Sequence, residues 1–294
     1  MLTPSALTIN ACCSGSNSQV IIICPLCLKS MIRCCQYSRR AVLVDGILLL
    51  NPWWMGVLLN TVLGAIALLT RQKLLTPAGL FHAWLLGVLI WGTLSWQGYL
   101  IVMVYFLVGS AVTRLGMTEK EAAGIAEKRS GARGPENVWG SAFTGTVCAL
   151  LVVLLPQWRE LFLVAFVASF STKLSDTCAS EVGKAYGQRT FLITTLQPVP
   201  RGTEGAVSLE GTLAGLVGAT AIALLGWSVG LMGAIAIPIC ILAAFFANLV
   251  ESLVGATLQG RYPWLSNELV NGINTTVGAG LAMGAMALLQ YTFE

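Results

Sequence analysis

Residues 162–184 read FLVAFVASFSTKLSDTCASEVGK, and the fold turns on this stretch. It begins as lipid-buried helix, FLVAFVA. It then takes in Lys173, Asp176, Glu181 and Lys184, with hydroxyls from Ser171, Thr172, Ser175, Thr177 and Ser180 between them. An ionised side chain near the centre of a membrane helix costs about 2.5–3.5 kcal/mol. Intramembrane ionisable residues are therefore rare, and where they occur they mark function by default.

The rest of the chain supplies the membrane context. Of 294 residues, 56% are hydrophobic and 10% charged, and the mean hydropathy is +0.77. A soluble domain is typically about a quarter charged. Apolar stretches lie near 52–70, 77–95, 98–114, 138–155, 160–180, 207–228, 230–250 and 272–291. Each is close to the roughly 20 residues a helix needs to cross the hydrocarbon core. No barrel-like alternation runs through them, so helices must carry the backbone hydrogen bonding. The expected fold is all-α, a polytopic membrane bundle of about eight transmembrane helices built from residues 51–294.

Charge orients the bundle. Threading eight spans puts the loops at 71–76, 114–137, 183–206 and 259–271 on one side, with nearly all the Lys and Arg from Arg71 to Arg261. The opposite loops contain only Arg159, next to Glu160. The charged side is then the cytoplasmic or stromal face, where it meets phosphates or anionic headgroups.

The first fifty residues break this rule with Lys29, Arg33, Arg39 and Arg40, and hold six of the nine cysteines. CPLC followed by CC lacks the histidine and the matching second pair of a zinc knuckle. A transit peptide is one reading of this basic segment, which has no acid before Asp45. A start placed upstream of the true one, near Asn51 or Met55, is the other. Cys148, Cys178 and Cys240 sit singly on helices and should pack as small hydrophobes.

Three polar clusters fall on the charged side. In TEKEAAGIAEKRSGARGPENVWG, residues 118–140, Thr118 and Glu121 have capping-box spacing, which predicts a short helix to about Arg129. Glycines then bring Lys128, Arg129 and Arg133 together. Arg133, between two glycines, suits a phosphate contact, and a solvated basic loop is the plainer alternative. The second cluster runs from Asp176 through PRGTEG, residues 200–205, to Ser208. Asp176 and Ser180 share a helix face, with Lys173 a turn earlier. Glu181 points well away from Asp176 on a regular helix, so the two can meet one ligand only near an unwound end. A Gly-rich turn running into a helix N-terminus is a ready anion site, although a tight turn alone would need the same glycines. In the third cluster, Asn248, Glu251 and Ser252 interrupt another apolar helix at the depth of Asp176. Asn267, Asn271 and Asn274 open the last span, where asparagines also serve as caps. The second and third clusters share one plan, a weak parallel repeat that sets Asp176 against Glu251.

His82, the only histidine, lies on an apolar helix and reads as a packed group. No histidine triad, zinc site or Walker loop can be assembled. Carboxylates for Mg²⁺, Lys and Arg for phosphates, and Gly-rich turns remain, the parts that phosphoryl transfer uses.

LTPAGLFHAWLLG, GIAEKRSGARGPENVWG, SDTCASEVGKAYG, VPRGTEGAVSLEGTLAGLVGA and ESLVGATLQ resemble the integral-membrane phytyl-phosphate kinases of plants and cyanobacteria, with transmembrane protein 19 as a relative. The resemblance spans residues 51–294. It implies transfer of a phosphoryl group from a nucleoside triphosphate, CTP by kinship with membrane prenol kinases, to phytyl (prenyl) monophosphate, for tocopherol and phylloquinone synthesis. It implies Mg²⁺ on Asp176 and Glu181, joined by Glu251 where the family pattern has Asp. Lys173 joins these acids in the catalytic set. It implies phosphate contacts from Arg133, Lys173, Lys184 and Arg201, with a phosphate turn of Gly202, Thr203, Glu204, Gly205 and Ser208. Asn248, Ser252 and Asn271 would contact the lipid substrate. The implied partners are the lipid phosphate, the nucleotide and membrane lipids, with no nucleic acid. The implied place is a cyanobacterial membrane or plastid envelope. A transporter, a CDP-lipid-forming cytidylyltransferase and a non-enzymatic scaffold are the rival classes. A transporter would put its polar residues near the midplane in inverted repeats, whereas these lie towards one face.

Overall fold

The computed structural model describes residues 51–70 and 74–293. The expectations for the first fifty residues, and for Arg71 and Lys73, lie outside them. The elements in order are α1 (Pro52–Leu69), α2 (Pro77–Thr113), α3 (Met117–Ala122), α4 (Pro135–Leu154), α5 (Arg159–Tyr186), β1 (Thr190–Leu192), β2 (Ala206–Ser208), α6 (Leu209–Ser228), α7 (Ala236–Val254) and α8 (Asn267–Phe293). Seven of these helices are long and apolar enough to cross a membrane.

The helix starts follow local chemistry. Asn51 accepts from Trp53 N at 2.9 Å ahead of α1, and Thr76 accepts from Gly79 N at 3.0 Å ahead of α2. Each cap is followed by proline at the first helical position, where its missing N–H costs nothing.

Helix α2 is 37 residues long but not straight. Thr76 N donates to Arg133 O at 3.0 Å, and the Arg133 side chain donates to Tyr105 Oη at 2.7 Å. At 1.5 Å per residue, a straight helix would part Thr76 and Tyr105 by about 43 Å, well beyond the reach of one arginine. The chain reverses at Ser95, whose φ of 55° and ψ of −152° are non-helical. A non-glycine residue in such a region stores about 1–3 kcal/mol of strain. The two legs, 77–94 and 96–113, are the second and third of the eight expected spans, so seven helices make eight crossings.

Helix α5 is the hub. Phe166, Phe170 and Leu174 are completely buried. α6 runs antiparallel along it with glycines at the contact: Gly211 faces Ala179, Gly215 faces Ser175, Gly218 faces Leu174 and Gly226 faces Val167. Without a hydrophobic force between helices in lipid, such small residues supply close backbone packing. Cys148, Cys178 and Cys240 are buried and free, as small hydrophobes should be.

Two local expectations are corrected. α3 starts at Met117, so Thr118 lies inside the first turn rather than at the cap, and it stops at Ala122 rather than near Arg129. Gly124, at φ +69°, breaks it, and a single 3₁₀ turn, Lys128–Gly131, follows. The segment between α5 and α6 carries a small antiparallel ribbon, Thr190↔Ser208 to Leu192↔Ala206, where only loop was expected.

Candidate active site

At one end of the bundle, the inner ends of α5, α6, α7 and α8 and the loops at 124–133 and 202–208 enclose a cavity of about 780 Å³. Two ion-pair clusters on α5 face it. In the first, Lys173 donates to Asp176 Oδ2 at 2.5 Å, and Glu251 of α7 lies within hydrogen-bonding reach of Asp176. Asn274 Nδ2 holds Glu251 Oε2 at 2.5 Å and Asn248 Oδ1 at 3.2 Å. Asn248 Nδ2 in turn donates to Ser175 Oγ at 2.9 Å. This network ties α5, α7 and α8 together below the cavity floor. The carboxylates of the parallel repeat, Asp176 and Glu251, come from helices that run the same way, and they meet.

In the second cluster, Glu181 accepts from Lys120, a side chain only 1% exposed that also donates to Thr113 O at 2.7 Å. Lys184 lies 3.7 Å from Glu181 and donates to Glu127 at 3.4 Å. A fully buried lysine persists only when paired in this way. The pair pins α3 and its loop onto α5.

The sequence-expected residues are thus sorted. Lys173, Asp176, Glu181, Lys184, Arg133, Gly202, Thr203, Glu204, Gly205 and Ser208 all line the cavity, as do Asn248, Glu251, Ser252 and Asn271. Arg201 does not: it is exposed, on the outer side of its turn, and donates to Ala185 O at 3.1 Å. Asp176 and Glu181 stay on separate ion pairs. α5 stays helical through Tyr186, with no unwound end to bring them together, and Glu181 already serves two lysines. Among the described residues no three His, Cys, Asp or Glu side chains gather to hold a metal ion. The acid beside Asp176 is Glu251.

Arg133 donates to Tyr105 and lies 5.1 Å from that ring's centroid and 5.6 Å from the Phe106 ring. The guanidinium is held against aromatic faces at the cavity wall. Gly202 and Gly205 have φ of +81° and +75°. A Cβ on Gly205 would come 2.5 Å from Ala256 Cβ and 2.6 Å from Ser252 O, so this turn is seated against the end of α7. There the helix widens into one π turn, Gly255–Gln259, a feature frequent at functional sites. Between the turn and α6 lies β2, and Ser208 spends its hydroxyl on capping Gly211 N at 3.1 Å.

Sequence reasoning missed Lys120 and Tyr105. Tyr105 lies inside an apolar run with no polar neighbour to flag it. Lys120 was read as one charge of a basic loop; its spacing gives no sign that it is buried. His82 accepts from Trp139 Nε1 at 2.9 Å away from the cavity, in keeping with a packed group.

Crossing helices, with a polar cavity at one end, define a multi-pass integral membrane protein. The chain belongs to the DUF92 family of integral membrane proteins, whose profile matches residues 59–279. It is 62% identical over 240 residues to a membrane protein of Synechocystis, covering 81% of this chain and 93% of that one. It is 43% identical over 258 residues to the chloroplastic Protein VTE6 of Arabidopsis thaliana, covering 84% and 77%. A membrane protein of Methanocaldococcus jannaschii is 31% identical over 236 residues, covering 80% and 94%. No solved structure matches. The plant and cyanobacterial resemblance drawn from the motifs is borne out at this level.

Proposed function

We propose that the protein is a membrane kinase that moves the γ-phosphoryl group of a nucleoside triphosphate, CTP in the first instance, onto phytyl or another prenyl monophosphate. One observation carries the reading: Asp176 and Glu251 meet, with Lys173 on Asp176, on the floor of a cavity that also receives Arg133 and Lys184. Opposed acids and bases around one cavity suit two phosphate ligands brought together. The bond between the γ-phosphorus and its bridging oxygen breaks, and a bond from that phosphorus to an acceptor phosphate oxygen forms. The products are a nucleoside diphosphate and a prenyl diphosphate. The acceptor oxygen is already anionic, so no strong base is required, and positioning and charge neutralisation carry the rate.

Mg²⁺ is commonly held by one or two carboxylates plus substrate phosphates, and Asp176 with Glu251 is a donor set of that kind. Bound there, the ion would neutralise phosphate charge. Lys173 holds the Asp176 carboxylate in place, Arg133 presents a fork fixed by Tyr105, and Lys184 adds charge from the α5 end. The one-sided Lys and Arg support a cytoplasmic or stromal face for this end of the bundle, and the proposed setting is a cyanobacterial membrane or plastid envelope, serving tocopherol and phylloquinone synthesis.

The test is transfer of label in membranes containing the full chain, given phytyl monophosphate, Mg²⁺ and γ-labelled CTP or ATP. Label in phytyl diphosphate, lost with Asp176→Asn, is the expected result and names the donor. Label entering the lipid only from an α-labelled nucleotide would make it a cytidylyltransferase. No transfer from any nucleotide by folded protein would overturn the kinase and bring a transporter forward.

A further inference from the structure

Two helices that face each other across the cavity change character in step. Along α6 the cavity-lining residues are Ser208 at the cap, Gly211, Thr212 and Leu216. Along α7, read from the cavity mouth inward, they are Ser252, Glu251, Leu249, Asn248 and Phe245. Glu251 and Asn248 are engaged by Asn274 and Ser175, which leaves Ser252, Leu249 and Phe245 as a second strip, and the deepest lining residue on each wall, Leu216 and Phe245, is hydrocarbon. Phe245 lies seven positions from Ser252, or about 10 Å deeper at 1.5 Å per residue. A ligand that was polar throughout would leave the deep end unmatched.

This side of the cavity also borders the membrane-facing surface. Leu249 lines the cavity yet is 36% exposed, and the neighbouring Phe246 and Leu253 on α7 and Leu213 and Val217 on α6 are exposed apolar residues of the membrane-facing surface. The α6–α7 side of the cavity thus adjoins apolar surface that faces the bilayer. It also adjoins the charged floor of Lys173, Asp176 and Glu251.

We propose that the α6–α7 slot, walled by Leu216, Phe245 and Leu249, is a lateral portal that holds the first part of the hydrocarbon chain of a membrane-resident lipid phosphate. The phosphate end lies among Lys173, Lys184 and Arg133, and the rest of the chain stays in the bilayer. The ligand enters from the membrane rather than from water. The inference rests on the kinase reading for its lipid phosphate, but the slot can be tested without catalysis.

A phytyl monophosphate analogue with a photoreactive diazirine near the head of its chain is bound to the full-length protein in lipid nanodiscs and irradiated. Label on Leu216, Phe245 or Leu249, displaced by unlabelled phytyl monophosphate, is expected. Label spread over Leu213, Val217 and Leu253 without displacement would overturn the portal. Labelling of the slot in a protein that transfers no phosphate would sink the kinase and leave the lipid site standing.

Where transfer is measurable, Leu249→Trp and Leu216→Trp should lower kcat/KM for phytyl monophosphate by about tenfold and leave the short dimethylallyl monophosphate unaffected. Leu253→Trp, outside the slot, should change neither. Equal losses on both substrates, or none on either, would overturn the proposal.

Discussion

Asp176 and Glu181 lie five residues apart on one helix and face one cavity, yet their surroundings differ. Glu181 is buried between Lys120 and Lys184, and its first partner arrives from α3, 61 residues away in the chain. Asp176 has one lysine from its own helix and a second acid, Glu251, against it. The Glu181 cluster is balanced by cations and its Lys120–Glu181 pair is buried, so it holds structure. The Asp176 cluster brings two acids together with a single direct cation, so it has room for another. A carboxylate's type does not decide its role. The balance of charge around it does.

The sharpest way to break this contrast is Asp176→Asn. It should cost about 10³-fold in phosphoryl transfer with little change in thermal stability, as seen by parallel label transfer and thermal unfolding in nanodiscs. Lys120→Met should do the reverse. Removing one partner of a buried pair costs about 3–5 kcal/mol, seen as a lowered unfolding temperature, and the double variant Lys120→Met/Glu181→Leu should recover most of it. A single mutant as stable as the parent would show that the loop is not pinned through this pair. Gly205→Ala comes next, at about 2 kcal/mol, because its left-handed backbone and the close approach of Ala256 and Ser252 leave no room for a methyl. Since Ser252 adjoins Glu251, activity should fall with stability. Smallest is Arg129→Ala. Its pair with Glu136 is 45% and 44% exposed, and its loss should change stability by under about 1 kcal/mol, a surface counterpoint to the buried pair.

The spans were legible because hydropathy reports depth in the membrane and little else is needed. It separated residues 77–95 from 98–114, which form one helical run folded at Ser95. Asp176, Glu251 and the Gly202–Gly205 turn were legible for a related reason: each violates the pattern around it. What stayed hidden was partnership. Lys120 looks like any basic loop residue, and only the packing of α3 onto α5 takes it to Glu181. Arg201 looks like a phosphate ligand until the turn that carries it directs the side chain to Ala185 O. Long side chains on loops choose among partners that tertiary structure brings near, and spacing along the chain carries no record of that choice.

The Ser95 reversal leaves the two legs of α2 with almost no connector between them. The other links at that end of the bundle, Leu155–Trp158 and Val229–Ile235, are nearly as short. At the cavity end the segments from Arg114 to Gly134 and from Gly187 to Ser208 are far longer. In sealed vesicles, cuts by an added protease within these two segments would therefore report that the cavity end faces outward, and the same segments left uncut would report the opposite insertion.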